Sequence, residues 1–315
     1  MRTLIHHGGS LGDSLLSLPC IMAIKASSSS IHFIGQGDIA EFLNKAGYAE
    51  TFSSADRADY TSLYTAASER VREFLASFDR AFIFTTLSDS PVAANIVAVV
   101  PCTRKIVAVP PEGVGIHAAV YRLAQLRLPL QSAPAPVLRI SGMHENNAQR
   151  LLGDAGCVGG RLLVAVHPGS GGRRKCWPLE RYFELIARLA TDPRPFFLLF
   201  SGPAEEDLKE RIDRFVLGRN DAVHIAGGKL TAAASLLSQC NLFVGNDSGF
   251  SHLAAAVNCR VLALFGPTDP AVWKPVGIHV EVVSAGCAVP IDCLSVEPVY
   301  RKAASLLAQN PVLSC

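Results

Sequence analysis

Short apolar runs alternate along the chain with longer stretches whose apolar positions recur at helical spacing, a pattern that predicts α/β units built on parallel sheets. In the first half the runs predict strands over 3–7, 31–35, 81–85 and 105–109, and helices over 14–26, 68–77 and 117–126. In the second half they predict strands over 162–167, 196–201, 223–225, 242–246 and 260–265. Helices are expected there over 146–155, 179–190, 205–215, 231–239 and 249–257. A closing helix over 297–308 gathers Val299, Ala303, Leu306 and Leu307 on one side. Between the halves, 128–137 carries Pro129, Pro134 and Pro136, which neither continue a helix nor suit a central strand, and it reads as the start of an interdomain connection. No repeat at solenoid spacing interrupts this alternation. The simplest assembly is two Rossmann-like domains facing across a cleft. They span 1–140 and 141–296, with the last helix (297–309) packing back on the first domain.

Composition narrows the class. The 315 residues carry 29 Lys+Arg against 27 Asp+Glu, a net charge of 29 − 27 = +2, and 49% are hydrophobic. Such a chain buries large cores, which excludes wholesale disorder. The near balance of charge argues against a nucleic-acid binder that relies on a broad basic field, though not against a local anion site. The longest apolar stretches fall short of the ~20 residues that span a bilayer. The opening Met1-Arg2-Thr3-Leu4-Ile5-His6-His7 has neither the apolar core nor the cleavage site of a signal peptide. A cytoplasmic location follows as the expectation, and nine scattered cysteines fit reduced thiols there.

Candidate chemistry gathers where strands end. The first strand runs into His6-His7-Gly8-Gly9-Ser10-Leu11-Gly12-Asp13-Ser14. This stretch has neither the Gly-Lys-Ser/Thr of a P-loop nor dinucleotide-fingerprint spacing, but Gly9, Ser10 and Gly12 allow a ligand close to the backbone. Asp13 reads either as a helix N-cap or as a catalytic carboxylate at the carboxyl end of a strand, where open α/β sheets bind ligands. A second loop, His167-Pro168-Gly169-Ser170-Gly171-Gly172-Arg173-Arg174-Lys175-Cys176-Trp177-Pro178, sets glycines and a serine beside three cations and suits a phosphate.

Three more turns follow strands in the second half. Asn246-Asp247-Ser248-Gly249-Phe250-Ser251-His252 opens a helix, with Asp247 or Ser248 as its cap and Ser248 and Gly249 offering N–H groups. Ser201-Gly202-Pro203-Ala204-Glu205-Glu206 places carboxylates in a helix's first turn, where one of them could instead meet a ribose. Gly266-Pro267-Thr268-Asp269 leaves the last strand as a tight turn. Convergence of these loops argues for a phosphate-bearing ligand on the second domain. No Asp-x-Asp pair occurs to anchor a divalent metal, and Cys287 and Cys293, with only His279 nearby, read as free thiols.

These motifs resemble glycosyltransferase family 9, the ADP-heptose:lipopolysaccharide heptosyltransferases. Ser10-Leu11-Gly12-Asp13-Ser14-Leu15-Leu16-Ser17-Leu18-Pro19 is similar to the family's opening motif. The loop from His167 to Pro178, the stretch Asn246 to Ala254, Phe265-Gly266-Pro267-Thr268-Asp269-Pro270 and Asp292-Cys293-Leu294-Ser295-Val296-Glu297 resemble its later ones. His6-His7 stands where the family often carries Arg or Lys, and 60–69 lacks the basic loop expected for a strongly anionic acceptor.

The resemblance implies a GT-B fold, with an acceptor-binding first domain and a donor-binding second domain. It implies an inverting, metal-independent transfer of heptose from ADP-heptose to a lipopolysaccharide core or other lipid-linked glycan. On this chain it makes Asp13 the general base, on an acceptor-side loop with Gly9, Ser10 and Gly12. Ser170, Gly171, Gly172 and Lys175 would hold the donor phosphates, and Asp247, Ser248, Gly249 and His252 would line the phosphate and sugar site. Glu205 or Glu206 would meet the ribose. No cofactor is implied, since the ADP-sugar is a substrate. A lipid-linked acceptor implies peripheral contact with the cytoplasmic face of the inner membrane. The other readings are a family enzyme using a different nucleotide sugar, a non-catalytic sugar-nucleotide or glycan-binding protein, and a sugar-nucleotide epimerase of the same fold.

Overall fold

A computed structural model describes residues 1–86, 90–127, 135–138, 142–157, 160–190 and 195–309. The chain forms two compact units, Met1–Pro136 and Val137–Cys315. Most of the expected connection, 128–134, lies outside the described residues.

The first unit carries β1 (Arg2–His7), β2 (Ser30–Gly35), β3 (Thr51–Ser54), β4 (Arg80–Thr85) and β5 (Cys102–Val107). They pair in parallel in the order β3-β2-β1-β4-β5. The second unit carries β6 (Leu163–His167), β7 (Phe196–Ser201), β8 (Ala222–Ala226), β9 (Leu242–Asn246), β10 (Val261–Phe265) and β11 (Val280–Ser284). These are also parallel, in the order β11-β10-β9-β6-β7-β8. Both are doubly wound sheets whose strand order reverses once, between β1 and β4 and between β6 and β9. At such a reversal the flanking loops leave in opposite directions and open a crevice at the carboxyl ends.

Sequence and burial agree on why the chain folds this way. Every residue of β6, β7, β9 and β10 is buried, as strands covered on both faces require, and they read as continuous apolar runs. The edge strands β3 and β11 are partly exposed, and no comparable apolar run announces them. The closing helix, Val296–Ala308, counts with the second unit, and its Val299, Ala303, Leu306 and Leu307 join that unit's core.

One expected element is two. In place of a helix over 14–26, helices Leu11–Leu16 and Leu18–Lys25 meet at Ser17. Pro19 has no N–H to give Leu15, and its ring would collide with that carbonyl, so the first helix ends before it. Ser17 closes the first helix through its N–H to the Asp13 and Ser14 carbonyls, both at 3.1 Å.

Leu264 is fully buried in the second core beside Val244 and Leu262. Leu264→Ala is expected to cost about 2–5 kcal/mol by chemical denaturation. A loss well under 1 kcal/mol would show that this strand is not packed as described.

Candidate functional site

In the first unit the reversal point lies between the ends of β1 and β4. A pocket of about 180 Å³ opens there, lined by His6, His7, Gly9, Asp13, Tyr64 and Thr85 among others. Asp13 is not the helix cap. Ser10 holds that position, and Asp13 is the third residue of the helix, its side chain turned back to the cap. Asp13 Oδ2 accepts from the Ser10 hydroxyl at 2.9 Å and the Ser10 N–H at 3.3 Å. Gly9 must lack a side chain, because a Cβ there would sit 2.7 Å from the Asp13 Cβ and 2.8 Å from the His7 ring. Gly12 lies within the helix's first turn.

The partner of Asp13 that sequence reasoning missed is Arg122. Its side chain is 0% exposed, against 35% for Asp13, and its Nη2 donates to Asp13 Oδ1 at 3.1 Å. Nη1 donates to the Asp13 carbonyl at 2.5 Å and to Ser17 Oγ at 2.8 Å, while Nε donates to the Ala108 carbonyl at 2.8 Å. Burial alone would lift the Asp13 carboxyl. The adjacent guanidinium and the Ser10 and Arg122 hydrogen bonds outweigh it and hold the group below the ordinary carboxylate value. A signal was present: Ala118, Ala119, Arg122 and Leu123 form the buried face of the helix Ala118–Ala124, so this arginine falls on an apolar stripe.

His7 completes the arrangement. Burial, reinforced by Arg122, pushes its pKa down to about 3, so the ring is neutral. Ser17 Oγ donates to the Asp13 carbonyl at 3.0 Å and accepts from Arg122. The His7 proton therefore sits on Nε2 and is donated to Ser17 Oγ at 3.0 Å. Nδ1 is left to accept from the Gly9 N–H at 3.2 Å and the Ser14 hydroxyl at 3.3 Å. One tautomer satisfies every group, and the cation of the cluster is Arg122 rather than a residue of the first strand.

In the second unit the reversal point joins the loops after β6 and β9. Asp247 is buried, and its Oδ2 accepts from Lys175 Nζ and Thr268 Oγ1, each at 2.8 Å. Ser170 Oγ donates to the Asp247 carbonyl at 2.7 Å. Asp247 thus ties the loops after β6 and β10 to its own, through its carboxylate and its main-chain carbonyl, with the Lys175 side chain partly exposed. Asn246 fixes the frame: its Nδ2 donates to the Pro168 and Gly169 carbonyls at 2.7 and 3.2 Å. Its Oδ1 accepts from the Trp177 N–H at 3.0 Å and the Tyr182 hydroxyl at 2.9 Å.

Ser248, not Asp247, caps the helix Gly249–Ala256, and its buried Oγ has no hydrogen-bond partner among the described residues. That helix also leaves its first N–H groups without intrahelical partners, as all helices do. His252 is buried on the same helix. Gly171 and Gly172 are open: a Cβ at either would meet nothing.

The two candidate carboxylates separate. Glu205 is buried, accepts the Gly202 N–H at 2.7 Å and lies 3.6 Å from His167 Nε2. It presses so closely on Gly169 that any side chain there would overlap it. Burial would raise the Glu205 pKa, but His167 and the Gly202 N–H bring it below its ordinary value. His167 in turn stacks on Phe250 with ring centroids 4.3 Å apart. Glu206 is exposed and faces Lys209 at 3.9 Å.

The model of glycosyltransferase family 9 (heptosyltransferase) matches residues 116–300, more than half of the chain. The chain belongs to glycosyltransferase family 9. A curated relative, lipooligosaccharide heptosyltransferase 2 of Haemophilus influenzae, is 32% identical over 131 residues. That alignment spans 40% of this chain and 37% of the relative. Among solved structures, Escherichia coli ADP-heptose lps heptosyltransferase II matches with a TM-score of 0.80 at 20% identity, over 98% of this chain and 99% of that one. Escherichia coli heptosyltransferase WaaC with ADP matches with a TM-score of 0.72 at 20% identity, over 97% and 100%. These likenesses establish the family's GT-B fold. Among the described residues no helix is long and apolar enough to cross a membrane, and no three His, Cys, Asp or Glu cluster to hold a metal ion.

Two buried histidines and a half-buried one make the fold acid-sensitive. His6 and His32 have pKa values near 4 and His7 near 3, all driven down chiefly by burial from 6.5. The unfolded chain therefore binds protons first. This contribution to stability is complete above the unfolded value of 6.5 and is lost as pH falls from there toward the folded values. Asp13, with its folded pKa lowered, adds a loss further into acid, below its ordinary value of 3.8. Urea midpoints measured from about pH 7.5 to 4.5 should fall steadily below about 6.5, and a flat profile would contradict the burial of these rings.

Proposed function

We propose that this protein transfers heptose from ADP-heptose to a lipopolysaccharide core acceptor, with inversion and without a metal. The observation that carries the reading is the pair of reversal-point sites. One holds a carboxylate ionised beside a buried arginine, and the other holds a lysine and two hydroxyls around a buried aspartate. Family membership supplies the class of reaction. The likeness to an ADP-heptose lps heptosyltransferase and to heptosyltransferase WaaC with ADP supports the donor.

On this reading Lys175, Ser170, Ser248 and the first N–H groups of the helix Gly249–Ala256 receive the donor diphosphate. As the sugar–phosphate bond breaks, negative charge grows on the leaving oxygen. A fixed ammonium and fixed dipoles stabilise that charge more in the transition state than in the ground state. Asp247 acts through Lys175 and Thr268, whose polar ends it holds in one place. Asp13 takes the proton of the acceptor hydroxyl. Its lowered pKa makes it a weak base, but one that is fully ionised at neutral pH. Of the two carboxylates only Glu205 belongs to the loop cluster, so it is the candidate ribose ligand, acting from behind Gly169. The enzyme works in the cytoplasm, on the membrane face that presents its lipid-linked acceptor.

Asp13→Asn is expected to lower transfer by at least about 10²-fold, the usual scale for losing a general base, with ADP affinity by calorimetry nearly unchanged. Near wild-type turnover would leave Asp13 as helix structure only. Lys175→Ala should instead weaken ADP binding, and unchanged affinity would remove the phosphate role. A thermal-shift series over ADP-, UDP- and GDP-sugars tests the donor: the ADP-sugar should raise the melting temperature most, and a larger shift with another base would reassign it.

A further inference from the structure

We propose that the first unit carries a second binding site, for a small organic phosphate with an apolar body, at the end of its sheet opposite Asp13. A cavity of about 310 Å³ opens there, larger than the one beside Asp13. It reaches the lower bound, roughly 300 Å³, of pockets that enclose small molecules. Arg80 and Cys102 are the first residues of β4 and β5 and are register partners, whereas Asp13 follows the last residue of β1. With parallel strands of six residues, the two ends lie about 20 Å apart.

Alternation along the strands and the Arg80↔Cys102 and Phe82↔Arg104 pairings bring Arg80, Phe82, Cys102 and Arg104 to one face. Helix and loop residues Ile24 and Leu126 complete an apolar floor. The Arg80 guanidinium lies 5.4 Å from the Phe82 ring centroid. Its Nε and Nη2 are used on Thr3 Oγ1, the Ser27 carbonyl and the Ser27 and Ser28 hydroxyls, at 2.8–2.9 Å. These bonds tie a helix end to the sheet, and a structural role for Arg80 would need nothing more.

That role does not account for the remaining donors. Arg80 Nη1 has no acceptor among the described residues. Arg104 uses only Nη1 among the described residues, on the Leu126 carbonyl at 2.8 Å and weakly on the Gln125 carbonyl at 3.5 Å, and its Nε and Nη2 have no acceptor there. Among the described residues no carboxylate lines the cavity. Arg80 thus offers Nη1 and Arg104 offers Nε and Nη2 to one cavity, and a pair of guanidiniums suits a phosphate; the nearby Asp79 carboxylate, which acts on Arg80, also accepts the Arg2 N–H at 2.7 Å. The apolar floor asks for more than inorganic phosphate. The site is independent of the transferase reading, since its residues take no part in either reversal-point cluster.

Cys102 is an exposed free thiol on the cavity wall and serves as a local reporter, with exposed Cys287 as the control. In the full chain, alkylation by iodoacetamide is followed at each cysteine by peptide mass spectrometry, with n-hexyl phosphate as the probe. Cys102 labelling should slow about tenfold at a probe concentration roughly ten times the dissociation constant, since only empty pockets react. Cys287 should be unaffected, hexanol and inorganic phosphate should protect far less, and Arg104→Gln should lose the protection. Vesicles containing phosphatidic acid tell a membrane-borne phosphate from a soluble one: protection by them as well assigns a lipid, and protection by hexyl phosphate alone a soluble ligand. Unchanged Cys102 labelling, equal slowing at Cys287, equal protection by inorganic phosphate, or undiminished protection in Arg104→Gln would each overturn the assignment.

Discussion

A parallel strand covered on both faces can carry chemistry only where it ends, and this constraint organises both units. Charges excluded from the buried central strands collect at the points where strand order reverses, and each cluster has one buried ion within it. In the first unit that ion is Arg122, fully enclosed and bonded to Asp13, Ser17 and Ala108. In the second it is Asp247, beneath Lys175 and Thr268. Burying a charge is costly unless it is paired and hydrogen-bonded. Both ions are, and the other member of each pair keeps about a third of its side chain exposed, 35% for Asp13 and 37% for Lys175.

The two clusters have opposite polarity, and the proposed reading accounts for it. With Asp13 as the base, the buried partner is the cation Arg122. With Lys175 as the phosphate ligand, the buried partner is the anion Asp247. Removing either buried member would strand the other charge, so on the proposed reading Arg122 and Asp247 act as positioning residues. His7 adds a neutral link: with its pKa near 3 it cannot compete with Arg122 as a cation, and it spends both ring nitrogens orienting Ser17 and the glycine turn.

Much of this was legible in the sequence. The continuous apolar strands of the second unit were, because burial on both faces leaves no alternation to confuse the reading. The loops at strand ends were also legible, because glycine, proline and charge side by side leave few structural explanations. The edge strands β3 and β11 were not, since half-exposed short strands look like loops. The break at Ser17 was missed although Pro19 was in plain view, because the apolar periodicity continues across it. Arg122 was missed because an arginine in a helix reads by default as a solvated one, and only its place on the buried stripe argues otherwise. Glu205 and Glu206 could not be separated by type or position; burial against Gly169 separates them.

The first cluster rests on the buried Arg122 guanidinium keeping Asp13 ionised against its own burial. This is tested most directly by carboxyl carbon NMR of Asp13 in the wild-type chain, titrated downward from neutral pH while the fold persists. The expected result is a signal that stays at the ionised position until below the ordinary aspartate value of 3.8. A midpoint above that value, as burial without an effective arginine partner would give, would contradict the account.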